Sequence, residues 1–360
     1  MCNKNDNLYH GELDQKLIWS PESDGGKYYQ HRIPGMVVTK KGTVIIYCEA
    51  RTGDLTNAAG QWGDWCLMDI YLQRSTDGGD TFSAPYYICH GNDTTPCVNN
   101  PVIIVGNDNV LHFLYAKNYS ILGGGIWYRR SYDDGVTWTE EKQLTGYTDV
   151  AHDCFAFGPT HGICTKEGVL MTAVWYVPQG KGAHVFSHGP SHAAVFYSED
   201  NGESWKMTDP ASKNTNETDI VQLSDGSIML NSRSGCKYRQ VTVSPNGKDQ
   251  WSETFNELQH PDPGCCAGLA IADVAGLPRA VLFSNCESQT DREYVTVKCS
   301  FDDGKTYSKK LVLSGEKFGG YSDIYVDDRG CVYVLYEYQA GKNVYLARFS
   351  YADVFCSEEA

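Results

Sequence analysis

A chain of 360 residues that is 41% hydrophobic can bury a substantial core, and length alone allows one repeat domain as readily as two or three smaller ones. Its formal net charge of -15 offers no basic patch, which argues against nucleic acid and anionic membrane surfaces as partners. No apolar run approaches the roughly 20 residues of a membrane span, and the opening residues, Met1 to Asp6, contain no signal-peptide core.

Along the chain, short β-branched and aromatic runs alternate with Gly, Asp and Asn turns. Val37 to Thr39 and Thr43 to Tyr47 read as the first such pair of strands. A short pattern, Ser-x-Asp-x-Gly-x-Thr-aromatic, then begins at Ser75, with Asp77, Gly79, Thr81 and Phe82 in its fixed positions. Strands over Pro101 to Val105 and Val110 to Tyr115 lead to a second copy at Ser131, Asp133, Gly135, Thr137 and Trp138. Further copies start at Ser198, closing on Trp205, and at Ser300, closing on Tyr307. A degenerate one, Ser244-Pro245-Asn246-Gly247 with Trp251, lies between them. Ile324 to Val326 and Val332 to Tyr336 read as the last pair of strands.

The repeat interval, on the order of 50–60 residues, is that of propeller blades and exceeds that of helical or leucine-rich repeats. Within each copy Asp and Gly supply a hairpin turn, the hydroxyls and carboxylate satisfy loop backbone, and the aromatic anchors the loop, so the role expected of the box is structural. No stretch has a sustained helical period. The expected fold is all-β: a single domain over residues 1–360, a six-bladed β-propeller of four-stranded antiparallel blades with the boxes between outer strands and the functional loops elsewhere.

Arg32-Ile33-Pro34, placed ahead of the first box, resembles the motif that opens sialidases. The likeness continues through Glu49-Ala50-Arg51, Asp64-Trp65, Asn100-Pro101, Gly158 to Gly162, Asn231 to Ser234, Tyr321-Ser322-Asp323 and Leu335-Tyr336-Glu337, nearly the whole chain. The chain is thus similar to bacterial-type exo-α-sialidases with Asp-box repeats. That resemblance implies a sialylated glycan as substrate, no cofactor and no metal. It assigns Arg32, Arg233 and Arg292 to the substrate carboxylate, Tyr321 to the nucleophile and Glu217 to its base. It also assigns Glu337 to orienting the first arginine and Arg51 to an accessory position behind the acid loop.

Chemistry supports such a set. A sialic acid carries a carboxylate on a carbon that becomes oxocarbenium-like, and a guanidinium offers a permanent charge with a planar donor fork for that anion. An anionic nucleophile would approach this carboxylate against like charge, whereas a phenol is neutral until it attacks. The general acid has two candidates: counting back from Ser75 points to Asp64, and counting forward from Arg51 points to Asp54, with Asp64 preferred. The expected activity is retaining exo-sialidase hydrolysis. The alternatives are transfer to sugar hydroxyls, action on a related nonulosonic acid, and a non-catalytic propeller that binds sialoglycans.

Other signals are weaker. His184, His188 and His192 are spaced by four, but the surrounding Gly and Pro disfavour the continuous helix that a metal site would need. His152-Asp153 is a candidate for a substrate-touching rim. The 14 Cys form no C-x-x-C and read as buried thiols in a reducing compartment, Cys265-Cys266 included. Sequons occur at Asn92, Asn118 and Asn216, the last beside Glu217, which favours an unglycosylated bacterial or cytosolic setting. The expected location is cytoplasmic, or secreted with the leader absent from this sequence.

Overall fold

The computed structural model describes residues 8–53, 63–120, 124–181, 190–339 and 341–357. Asp54, His184 and His188 lie outside the described residues. The strands form six sheets arranged as the blades of a propeller, each built on four antiparallel strands, with short extra strands added to two of them. Blade 1 comprises Gln30–Val38, Val44–Arg51, Met68–Ser75 and Tyr86–His90. Blade 2 runs from Val98–Val105 to Lys142–Leu144, and blade 3 from His152–Phe157 to Lys206–Met207, with short additional pairings at Thr160–His161, Ile163–Cys164 and Ser212–Lys213. Blade 4 spans Thr215–Gln222 to Phe255–Pro261, and blade 5 Gly268–Ala272 to Lys309–Val312.

Blade 6 closes the ring. Its inner strands Ser322–Val326, Cys331–Tyr338 and Asn343–Ser350 are completed by Asp14–Trp19, which pairs antiparallel with Asn343–Ser350. A strand from near the start of the chain therefore covers the edge that the last blade would otherwise leave open. Inner strands such as Val44–Arg51 are buried along their whole length, so they read as apolar runs without alternation.

Every full box forms the same turn. At the end of the third strand of blade 2, Ser131 Oγ donates to Asp133 Oδ1 at 2.9 Å and accepts from Gly135 N at 2.8 Å. Asp133 in turn accepts from Thr137 N at 2.8 Å and from Thr137 Oγ1 at 2.5 Å. The boxes at Ser75, Ser198 and Ser300 repeat these bonds. At the degenerate box Asn246 replaces the aspartate and accepts from Ser244 Oγ at 3.1 Å. The box aromatics fill slots in the core: Trp138 meets Phe113 edge-on at 5.4 Å, and Trp205 stacks on Phe196 at 5.2 Å.

Blade 6 has no box, for a topological reason. Its third strand ends at Ser350, but its fourth strand is Asp14–Trp19, so no hairpin joins the two and no box turn is required.

Strand register places boxes and arginines on opposite faces. On Val44–Arg51, Val44 faces Ser75 of the box while Arg51 faces Met68 at the other end, about 20 Å away at the usual rise per residue.

Candidate active site

The face opposite the boxes holds a pocket of about 150 Å³ whose lining includes Arg32, Arg51, Asp64, Glu217, Arg233, Arg292 and Tyr321. Four blades supply these side chains. A larger cavity, about 890 Å³, opens at the box face and is lined by Lys40, Asp77, His161, Tyr325 and Asp327 among others. Arg32, Arg51, Arg233 and Arg292 do not border it, so size does not mark the site here.

Arg32 enters the pocket through a distortion of the first blade. The pairing between Gln30–Val38 and Val44–Arg51 slips between Arg32 and Gly35, and Ile33 has φ 53°. A β-branched residue rarely adopts that left-handed conformation, and the cost is offset by the bond from Ile33 N to Glu337 Oε1 at 3.0 Å. Glu337, fully buried, also accepts from Arg32 Nε at 3.0 Å and from Tyr321 N at 3.1 Å. One carboxylate thereby fixes the first arginine, its bulge and the backbone of Tyr321. Gly320 makes this approach possible, because a Cβ there would lie 2.5 Å from that of Glu337.

Tyr321 stands at the centre. Its hydroxyl donates to Glu217 Oε1 at 2.6 Å and accepts from Arg233 Nη1 at 2.8 Å. Arg233 Nη1 also donates to Glu217 Oε2 at 2.5 Å. The guanidiniums of Arg32 and Arg292 lie 4.8 and 5.1 Å from the Tyr321 ring centroid. Three cations thus surround one phenol.

Burial and the neighbouring Glu217 push the Tyr321 phenol well above its usual range, against the pull of the three arginines, so it rests protonated. Burial acts to raise Glu217 as well, but Arg233, the Tyr321 hydrogen bond and Arg292 together hold it below the usual carboxylate value. A neutral phenol beside an ionised carboxylate is the arrangement that an activated oxygen nucleophile needs.

Across the pocket, Arg51 is held by Glu49 Oε2 through Nε at 2.9 Å and donates from Nη1 to Asp64 Oδ1 at 2.9 Å. Asp64 keeps 41% of its side chain exposed at the pocket edge. Fully buried Glu49 also accepts from Asn100 N at 2.8 Å, which ties blade 1 to blade 2.

All eight residues singled out in the sequence, Arg32, Arg51, Asp64, Glu217, Arg233, Arg292, Tyr321 and Glu337, therefore meet around one pocket or support its wall. Others in the site carried no assigned role. Glu49 positions Arg51 as Glu337 positions Arg32, and its signal was the Glu-Ala-Arg run itself. Asn100, at φ 49°, donates from Nδ2 to Phe157 O, and its buried Oδ1, beside the pocket, has no hydrogen-bond partner among the described residues. Tyr119 and Trp175 pack at 5.9 Å along the same wall, and no local motif announces either.

The weaker signals stay outside the pocket. His152 packs against Tyr147, Phe155 and Tyr176, and Asp153 accepts from Gly180 N at 2.7 Å. His192 bonds to Ser191 O within its strand. Cys265 and Cys266 are buried free thiols, and the Asn118 amide is buried with Oδ1 and Nδ2 both bonded to backbone.

Comparison with known proteins bears on the family and the fold. The BNR repeat-like domain matches residues 68–334. A sialidase of Bacteroides fragilis is 27% identical over 338 residues, covering 85% of this chain and 59% of the relative. A Micromonospora viridifaciens sialidase is also 27% identical, with 89% and 52% covered, so the chain spans little more than half the length of these relatives. Among solved structures, a Hadza microbial sialidase superposes with a TM-score of 0.78 at 24% identity, over 91% of this chain and 67% of that one. The intramolecular trans-sialidase from Ruminococcus gnavus, in complex with oseltamivir carboxylate, has a TM-score of 0.72 at 15% identity, over 94% and 97%.

Proposed function

This chain belongs to the bacterial-type sialidase family and carries its BNR repeat-like domain, and from that premise we propose that it is a retaining exo-α-sialidase. The substrate is a glycan ending in an α-linked sialic acid. The observation that carries the reading is the 2.6 Å bond from the Tyr321 hydroxyl to Glu217 inside a ring of three arginines.

Arg32, Arg233 and Arg292 receive the substrate carboxylate, each as a planar donor fork. Tyr321 then attacks the anomeric carbon, and its proton passes to Glu217 Oε1 as the new C–O bond forms. Asp64 protonates the departing glycosidic oxygen, so the leaving sugar departs as an alcohol. The glycosyl-tyrosine next to three cations keeps the carboxylate compensated, and water activated by Asp64 breaks the bond to Tyr321, with Glu217 returning the proton to the phenol.

The test is covalent trapping. A fluorinated sialosyl fluoride should add its mass to a peptide containing Tyr321, and turnover of an aryl α-sialoside should release the sugar first in its α form. Label on Glu217 or Asp64 would reassign the nucleophile. Binding of the unsaturated sialic acid analogue with no turnover of any sialoside would make the chain a glycan-binding propeller. Product appearing on an added galactoside in preference to water would make it a transferase.

A further inference from the structure

The two strands that carry the dyad continue past it into the axis of the propeller. Glu217 and Asp219 are two residues apart on Thr215–Gln222, and Asp323 follows Tyr321 by two at the start of Ser322–Val326. The register shifts between Thr215 and Thr218, and past that bulge Asp219 meets Asp323, so the two carboxyl groups form a second layer two residues further along each chain segment than Glu217 and Tyr321. His161 completes that layer, with Nδ1 donating to Asp323 Oδ1 at 2.8 Å.

Ligand atoms of the three residues lie within 4.8 Å of one another, and none of the three is more than 5% exposed. Each carboxylate is fixed by backbone. Asp219 accepts from Leu269 N of blade 5 at 2.6 Å and from Ile220 N at 2.8 Å. Asp323 accepts from Met36 N of blade 1 and from Ile324 N, both at 2.8 Å. Blade 5 also packs close here, since a Cβ on Gly268 would lie 2.9 Å from Asp323 Cα. The two anions cannot swing apart to relieve their repulsion, which is strong where water is excluded.

We infer that His161 is a positioning residue for the reaction: its protonated imidazole bridges Asp219 and Asp323, clamps the inner strands of blades 4 and 6 together, and so holds the Tyr321 phenol against Glu217. The inference rests on the sialidase reading above. Protonation of the trio agrees with it. Burial acts to depress His161, but Asp323 outweighs that and raises it to about 9, while burial and Asp323 raise Asp219 to about 7 despite His161. The trio also accounts for a buried histidine and two buried aspartates to which the mechanism above gives no role.

The experiment uses the full chain with His161→Gln, alone and with Asp219→Asn. Replacing the imidazolium removes the cation and the Nδ1–H donor that hold Asp323 in place beside Asp219, so kcat on an aryl sialoside should fall about 10- to 100-fold, the scale of a small misplacement of reacting groups. Affinity for the unsaturated sialic acid analogue should hold, because Arg32, Arg233 and Arg292 are untouched. Adding Asp219→Asn places a permanent neutral N–H donor beside Asp323 and should recover part of kcat. Unchanged kcat with only a lowered melting temperature would overturn the inference, as would a double variant no better than the single one. Stoichiometric metal in the wild type that vanishes in His161→Gln would also overturn it, by making the trio a ligand set. Should His161→Gln fail to fold, Asp323→Asn keeps an acceptor for Met36 N and is read the same way. If the wild type turns over no sialoside, the sialidase reading fails separately, and a crystal structure of the variant still decides: a Tyr321–Glu217 separation still at 2.6 Å would overturn the clamp.

Discussion

At one end of the blades, each box turn bonds to itself. Ser198, Asp200 and Ser204 satisfy one another and the backbone between them, and the carboxylate of Asp200 falls to about 2, against burial, because Ser204 and Ser198 donate to it. At the other end, Arg32, Glu217, Arg233, Tyr321 and Glu337 come from three blades and bond chiefly to one another, while Arg292 from a fourth lies over the Tyr321 ring. The first arrangement is local and repeated, and in the full boxes its left-handed positions fall on Gly, Asn and Asp, which tolerate them. The second gathers three cations, buries two carboxylates and holds Ile33 in a left-handed conformation. The contrast separates residues that stabilise the fold from residues whose cost the fold carries, which is where a stability–function trade-off is expected.

The sharpest way to break this contrast is Tyr321→Phe. Loss of a covalent nucleophile should lower kcat by on the order of 10⁴-fold, and labelling at this position should vanish. Melting temperature should stay level or rise, since removing the hydroxyl frees Glu217 to pair with Arg233 alone. A Tyr321→Phe chain that unfolds readily would show that the mouth stabilises the fold as the boxes do.

Asp64→Ala should have the next largest effect, and that effect should depend on the leaving group. On a natural sialyl-galactoside the loss should be about 10²–10⁴-fold, the range for general acid–base catalysis, and on an aryl sialoside with a good leaving group much less. If the leaving-group dependence appears in Asp54→Ala and not in Asp64→Ala, the acid is Asp54.

The same contrast explains what could be read from the sequence. Box residues recur at fixed offsets, so five of the turns and the propeller itself were legible without any long-range information. Pocket residues lie in different blades, and Arg292 or Glu217 has no local pattern that sets it apart from the chain's other arginines and glutamates. Those two were reached only through likeness to sialidases. Tyr119 and Trp175 were out of reach because each is one aromatic among many strand residues, and only the tertiary approach of blades 2 and 3 makes them a wall. Asp323 and His161 lie inside motifs named in the sequence analysis and Asp219 follows Glu217 by two, yet that proximity gains meaning only once strands from different blades are known to face each other.

Stability against pH should sharpen the comparison further. His161 is raised from an ordinary 6.5 to about 9, and Asp219 from 3.8 to about 7, so the folded chain binds more protons than the unfolded one between these values. The His161 contribution is complete below about 6.5 and is lost as pH climbs through about 9, while the Asp219 contribution fades as pH climbs through about 7. Chemical denaturation from pH 6 to pH 9 should show stability falling, with a slope of up to about 1.4 kcal/mol per pH unit for each proton involved. His161→Gln should flatten the upper part of that range, and an unchanged slope would show that the axial trio is not the titrating group.

The smallest expected effect belongs to the boxes, and its sign is opposite. Asp200→Ala removes the acceptor for Ser198 Oγ, Ser204 N and Ser204 Oγ on a largely exposed turn, so the loss should be on the order of 1 kcal/mol of stability with kcat unchanged. Because the folded carboxylate lies near 2 against an ordinary 3.8, its contribution is present above about 3.8 and disappears as pH falls through about 2. Wild type and variant should therefore differ at pH 6 and converge toward pH 2, where both have lost the carboxylate. The single box is one of several equivalent turns, which keeps its removal from spreading to the mouth about 20 Å away along the blade. A measurable drop in kcat for Asp200→Ala, with the melting temperature intact, would mean that the two ends of the blade are coupled and that the separation between stabilising rim and reactive mouth does not hold.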